Sequence, residues 1–289
     1  MYSIVTDASA DVLPQIVEDN DIKFLQMEYT IDGETLVYNG YDTTGQLDDY
    51  YAKLKKGAET FTTQIMPSRY YEFFEPYVKE GKQVMYIGLS LGISHTVDSA
   101  RNAVQELEEK YGHADVAVID GKGATIGLGL LVESACRNRA AGMSFEDNAK
   151  WVAEHAGKVM HRFIVDDLIY LSRGGRLPAA TALLGTALSI KPVMRFNDAG
   201  ELEIVCKKRG SKQAIKYMLD NFDKSFDQSN GNIAYAVYSG PREGTDYIVQ
   251  KISEKYPGIL IRTLPLSPVI GAHTGSGLVG LVNYAKGER

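Results

Sequence analysis

Gly88-Leu89-Ser90-Leu91-Gly92 matches G-x-S-x-G, the pattern that exposes a serine nucleophile on a tight strand-to-helix turn. It follows the apolar run 84–87. His273 lies far downstream, in the chain order of a triad on an α/β sheet. Two features oppose a hydrolase. The helix of such an elbow starts at the serine, whereas Ser94 or Thr96 is the better cap here. No HGGG-type oxyanion loop follows an earlier strand. The plainer reading is a strand turning into a helix through small residues, and a serine hydrolase using Ser90 and His273 stands as the alternative. Residues 275–280, Gly-Ser-Gly-Leu-Val-Gly, spell G-x-G-x-x-G. Only residues 281–289 follow, too few to complete a dinucleotide-binding βαβ unit, so they read as a turn before a short strand. The five histidines show no H-E-x-x-H or similar spacing, and no metal is expected. His113 and His155, beside or within helix ends, read as structural.

A set of hydroxyls near expected strand ends remains: Ser9 beside Asp7, Thr62, Thr63, Ser90, Ser94, Thr96 and Thr125. In an open α/β sheet the strand C-termini face the ligand crevice. Hydroxyls beside the free N–H groups of a helix start, as in Ser94-His95-Thr96, suit an anion. Each hydroxyl alone is more often a cap, but jointly they point to a carboxylate or phosphate site between two halves.

The elements that must position these groups alternate between short apolar runs and segments of helical period, the pattern of an α/β protein. Residues 3–6 predict a strand, with Asp11 capping a helix from Val12. Residues 24–38 predict a hairpin turning at Asp32-Gly33. Ser68 is placed to cap the next helix, residues 84–87 form a buried strand, and a helix over 94–110 stops at Gly112. A strand over 115–119, an apolar helix to Gly142 and a capping box at Ser144 follow. Beyond Gly157 the pattern changes to helical stretches at 167–172 and 178–188 around Arg173-Gly174-Gly175-Arg176. A hairpin over 190–207 turns at Asp198-Ala199-Gly200. A helix from Ser211, a strand at 233–238, a helix at 245–255 and a strand at 259–264 complete the order. The fold expected is α/β in two domains. Residues 1–157 form a three-layer domain with a mainly parallel sheet and a small β-hairpin excursion near 24–40. Residues 158–289 form an α/β domain with a mixed sheet.

Bulk properties fit that picture. The 289 residues are 44% hydrophobic and 24% charged, ordinary for a soluble domain. Lys and Arg number 31 against 37 Asp and Glu, a net charge of −6 that argues against a nucleic-acid binder. Cys136 and Cys206, far apart, point to a reducing, cytoplasmic compartment. No signal-peptide pattern or membrane-spanning apolar run is read.

Taken in order, the motifs resemble the DegV family over the whole chain. Thr6-Asp7-Ala8-Ser9-Ala10-Asp11-Val12 resembles its T-D-S-S-A-D-L opening, and Thr62-Thr63-Gln64 with Pro67-Ser68 its T-S-Q-P-S loop. Residues 90–100, beginning Ser90-Leu91-Gly92-Ile93-Ser94-His95-Thr96, resemble S-S-G-L-S-G-T-Y-Q-S-A, which also explains the apparent elbow. Leu168-Ile169-Tyr170-Leu171-Ser172-Arg173-Gly174-Gly175-Arg176-Leu177 resembles L-x-Y-L-K-K-G-G-R-I, Ile190-Lys191-Pro192-Val193 resembles I-K-P-I, and His273-Thr274-Gly275-Ser276-Gly277 resembles H-x-G-P-G. The resemblance implies a long-chain fatty acid bound in a tunnel between two α/β domains, with no other cofactor. It implies a non-catalytic lipid-binding subunit of bacterial fatty acid kinase. An ATP-binding kinase subunit would phosphorylate the carboxylate, and the acyl phosphate would go to phospholipid synthesis. Thr62, Ser94 and His273 would hold the carboxylate, with Thr63, His95, Thr96 and Gly275 supporting the head-group site. Arg173, Arg176 and Arg209, with Lys207 and Lys208, are basic groups for docking the kinase, and no membrane span is implied beyond transient contact. His95 replaces the family's glycine, Ala8 its first motif serine, and Ser276 its proline. Ile65-Met66 also stand before Pro67.

Overall fold

The structure is a computed structural model and describes residues 1–41, 45–178 and 190–287. Alternation of apolar runs and amphipathic segments gives, in the first half, strand β1 (Ser3–Asp7), helix α1 (Pro14–Asn20), β2 (Lys23–Leu25), β3 (Met27–Ile31), β4 (Glu34–Tyr38), α2 (Gln46–Lys55), β5 (Thr60–Thr62), α3 (Pro67–Lys79), β6 (Val84–Gly88), α4 (Thr96–Tyr111), β7 (Val116–Asp120), α5 (Ile126–Ala140) and α6 (Phe145–Ala156). Strands β2-β1-β6-β7 form one sheet with all three pairings parallel. Its central strand β6 is buried along its whole length, as its unbroken apolar run requires. Strands β4-β3-β5 make a small antiparallel sheet.

The second half contributes β8 (Val159–Ile164), α7 (Ile169–Arg173), β9 (Ile190–Phe196), β10 (Leu202–Arg209), α8 (Gly210–Ser225), β11 (Ile233–Tyr238), α9 (Glu243–Lys255), β12 (Leu260–Pro265), α10 (Pro268–Thr274) and β13 (Val279–Tyr284). They build a six-stranded mixed sheet in the order β10-β9-β8-β13-β11-β12, in which only β11 and β12 pair in parallel. Helix α5 packs against β1 and β6 of one sheet and β8, β11 and β13 of the other. That position explains why its residues from Ile126 to Cys136 are all buried and why it has no polar face.

Several local expectations shift. The Asp32-Gly33 turn forms with both residues at positive φ, but the hairpin is β3–β4, and Phe24 belongs to the parallel strand β2. Asp11 caps nothing: α1 starts at Pro14 after Leu13, and the Asp11 carboxylate is buried elsewhere. Helix α3 begins at Pro67, whose missing N–H suits the first helical position, so Ser68 lies inside it. Ser144 does cap α6, accepting from the Asp147 N–H at 3.1 Å. Most of the helix expected over 178–188 lies outside the described residues.

Candidate functional site

Helix α10 is short, and its start is Ser267-Pro268: the Ser267 hydroxyl accepts from the Ile270 N–H, and Pro268 occupies the first turn. The first half grips this helix. Tyr50 donates to the Pro268 carbonyl at 3.1 Å, and Tyr51 to the carbonyls of Leu266 at 2.9 Å and Ser267 at 3.2 Å. Asp11 Oδ2 accepts from the Ser267 N–H at 3.4 Å and from the Thr125 hydroxyl. Burial, only partly offset by those bonds, raises the Asp11 carboxyl to about 7.

The last turn of α10 carries His273 to β5, where Nε2 lies 2.8 Å from Thr62 Oγ1. Nδ1 is buried with no partner and lies against Gly174, where a β-carbon would fall 2.3 Å from it. Burial, reinforced by the positive charge of Arg176, lowers the imidazole to about 4, so it is neutral at pH 7. A buried N–H without an acceptor is costlier than an idle lone pair, so we assign the proton to Nε2. His273 then donates to Thr62 Oγ1, and the Thr62 hydroxyl proton is left to point into the cavity.

Thr62, Ser94 and His273, expected together, all line one cleft, whose free space, open solvent included, is about 880 Å³. Its other walls are largely apolar and come from both halves, among them Leu89, Ile93, Ile126, Phe163, Phe196 and Ile270. Ser94 Oγ sits 3.4 Å from both the Thr96 hydroxyl and the Thr96 N–H. Thr63 also lines the cleft.

Other expected residues fall elsewhere. His95 is 78% exposed and pairs with Asp98 at 3.2 Å, so the departure from glycine places an imidazole in solvent. Thr96 is fully buried at the start of α4 and is not part of the cleft wall. Gly275 closes α10 at positive φ, its carbonyl accepting from Ser239, and also lies off the wall. Arg173 and Arg209 are exposed. Arg176, expected on the surface with them, turns inward. Its Nε donates to the Ile93 carbonyl at 3.0 Å, another nitrogen donates to the Gly174 carbonyl, and the side chain lines the cleft. Burial lowers its pKa as well.

The serine-elbow geometry is absent. Ser90 is fully buried and donates to the Gly200 carbonyl at 2.8 Å, while His273 is engaged with Thr62. The G-x-G-x-x-G run closes a helix and opens strand β13, the reverse of the strand-to-helix order a dinucleotide requires. His113 and His155 each meet a backbone carbonyl, of Tyr111 and Trp151 respectively. Among the described residues no group of three or more His, Cys, Asp or Glu is arranged to hold a metal ion, and no helix is long and apolar enough to cross a membrane.

A parallel and a mixed sheet packed on helix α5, with an apolar cleft that reaches the Thr62–His273 pair, define an α/β protein with a candidate ligand cleft. A family model described as "uncharacterised protein, DegV family" matches residues 1–286, and the chain belongs to that family. A DegV domain-containing protein of Clostridium perfringens is 36% identical over 97% of this chain and 96% of its own. The structure of a DegV family protein from Thermus thermophilus, described by its fatty acid binding, superposes with a TM-score of 0.84 at 26% identity over 99% of both chains. The fatty acid kinase B3 protein of Streptococcus pneumoniae, loaded with linoleic acid, shares the fold with a TM-score of 0.85 at 20% identity, over 99% of this chain and all of that one.

Proposed function

We propose that this chain is a long-chain fatty acid carrier that buries the acyl tail in the cleft. Its carboxylate would be held at Thr62, Ser94 and His273 for phosphorylation by a separate ATP-dependent fatty acid kinase subunit. The observation that carries this reading is the cleft itself, apolar along its walls and ending in the Thr62–His273 pair. A tail gains about 0.8 kcal/mol per buried methylene. The Thr62 hydroxyl, turned outward by the His273 N–H, and the Ser94 hydroxyl supply donors, and Arg176 supplies an inward-facing positive charge for the head group. Thr63 completes the rim. The exposed Arg173 and Arg209 are the docking charges for the kinase, and residues 1–157 and 158–289 act as the two jaws in a cytoplasmic setting. In this reading the bound carboxylate is itself the nucleophile toward the phosphoryl donor, and acyl-phosphate chemistry belongs to the partner. Mass spectrometry of lipid extracted from the purified protein tests the reading: a co-purifying long-chain acid is expected. Clean protein that fails to take up any such acid refutes it.

A further inference from the structure

The strand register of the mixed sheet arranges the residues of the cleft floor in transverse rows. Val237, Gly280 and Phe163 are direct cross-strand partners and form one row. Two residues along β13, Val282 lies opposite His161, whose ring meets Phe196 edge-to-face, with centroids 4.8 Å apart and an interplanar angle of 63°. All of these line the cleft, whereas the next pair, Val159 and Tyr284, is fully buried and does not. The head-group end is fixed too: the Leu278 N–H bonds Ser239 Oγ, which donates to the Gly275 carbonyl, two residues past His273. From Leu278 to Val282 the strand therefore runs away from the head group by about 13 Å.

The first row has no side chain at its centre. A β-carbon on Gly280 would lie 2.7 Å from Val237 Cγ1, so Val237 leans over this position and any side chain placed there would have to push it into the cleft. The second row contains a plug. The His161 nitrogens lie 3.3 Å from the Val159 carbonyl and 3.4 Å from the Ala124 carbonyl. Its ring occupies the space that a side chain on Gly123 or Gly127 would need, since β-carbons there would fall 2.4 Å and 2.0 Å from ring atoms. The imidazole thus wedges between the sheet and the start of α5, with Phe196 behind it.

We propose that these rows form a length gauge, resting on the fatty-acid reading above: Gly280 lets Val237 lie low against the sheet beneath the alkyl chain, and His161 stops the chain's methyl end. The chain class admitted is then set by the distance from the Thr62–His273 end to this plug. The test is displacement of a fluorescent fatty acid by saturated straight-chain acids from dodecanoic to docosanoic, using the wild type, His161→Ala and Gly280→Ala. Wild-type affinity is expected to climb about fourfold per added methylene until the cleft is full, then to stop climbing. His161→Ala moves that break to longer acids, and Gly280→Ala moves it to shorter ones. If one variant does not fold, by circular dichroism, the other decides. A folded, acid-binding variant that breaks at the wild-type length overturns the gauge alone. A wild type that binds none of the acids overturns the fatty-acid reading, and the gauge with it.

Discussion

Replacing His273 with Ala removes the donor that turns the Thr62 hydroxyl toward the cleft, because the 2.8 Å contact between them is the one that orients it. The hydroxyl can then donate to a backbone carbonyl instead of a ligand. A hydrogen bond to a charged group contributes about 1.5–3 kcal/mol, which corresponds to a loss of roughly 10- to 150-fold in affinity for a carboxylate. The alkyl contribution should not change, since the ring lies at the head-group end. The assay is therefore differential: isothermal titration or fluorescence displacement with a long-chain acid and with its methyl ester. Wild type is expected to favour the acid over the ester, and His273→Ala to lose that preference while holding the ester as before. Thr62→Val should produce the same loss, and the double variant little more, because the two groups act as a unit. An acid-to-ester ratio unchanged by His273→Ala refutes the proton assignment and the head-group role together.

Three further outcomes follow from the same geometry. Asp11, raised to about 7 by burial, holds a proton in the folded chain that the unfolded chain releases from about pH 4 upward. Folding stability from this group is thus present at low pH and lost as pH rises through 7. Denaturant unfolding at pH 5 and pH 8 should show Asp11→Asn shedding a pH dependence on the order of 3 kcal/mol. Arg176→Gln removes the positive charge that assists burial in depressing His273. The imidazole NMR titration should move upward from about 4 while staying below its ordinary value of 6.5, because burial is the larger cause. Ser90→Ala should cost about 1 kcal/mol of stability through its lost bond to Gly200, and a fluorophosphonate probe should leave Ser90 of the wild type unlabelled.

The fold was legible where one physical signal dominates a stretch. The Asp32-Gly33 turn, the hairpin at Gly200 and the α5 helix, apolar over its first half, follow from turn chemistry and burial on both faces. Helix α10 is not legible by periodicity, because its seven residues, with Gly271 in the middle, show no helical period. Its legible signal was the Ser267-Pro268 start. Thr62 and His273 are 211 residues apart, and no spacing rule joins them; the motif resemblance did. Arg176 reads as a surface charge in S-R-G-G-R, since only the folded path of α7 beside α10 turns it inward. Whether His95 would enter the site depended on a side-chain direction that sequence does not encode, and it faces out.

Thr62 stands on an edge strand of the first half and His273 on a helix of the second. On the proposed reading, a guest grasped by both is a staple across the molecule. A ligand that binds only the folded chain adds RT ln(1 + [L]/Kd), about 2.7 kcal/mol at a hundredfold excess over Kd. The emptied carrier is then the perishable form, open to proteases sooner than the filled one. Carrier lifetime becomes a record of lipid supply, kept without any dedicated sensor.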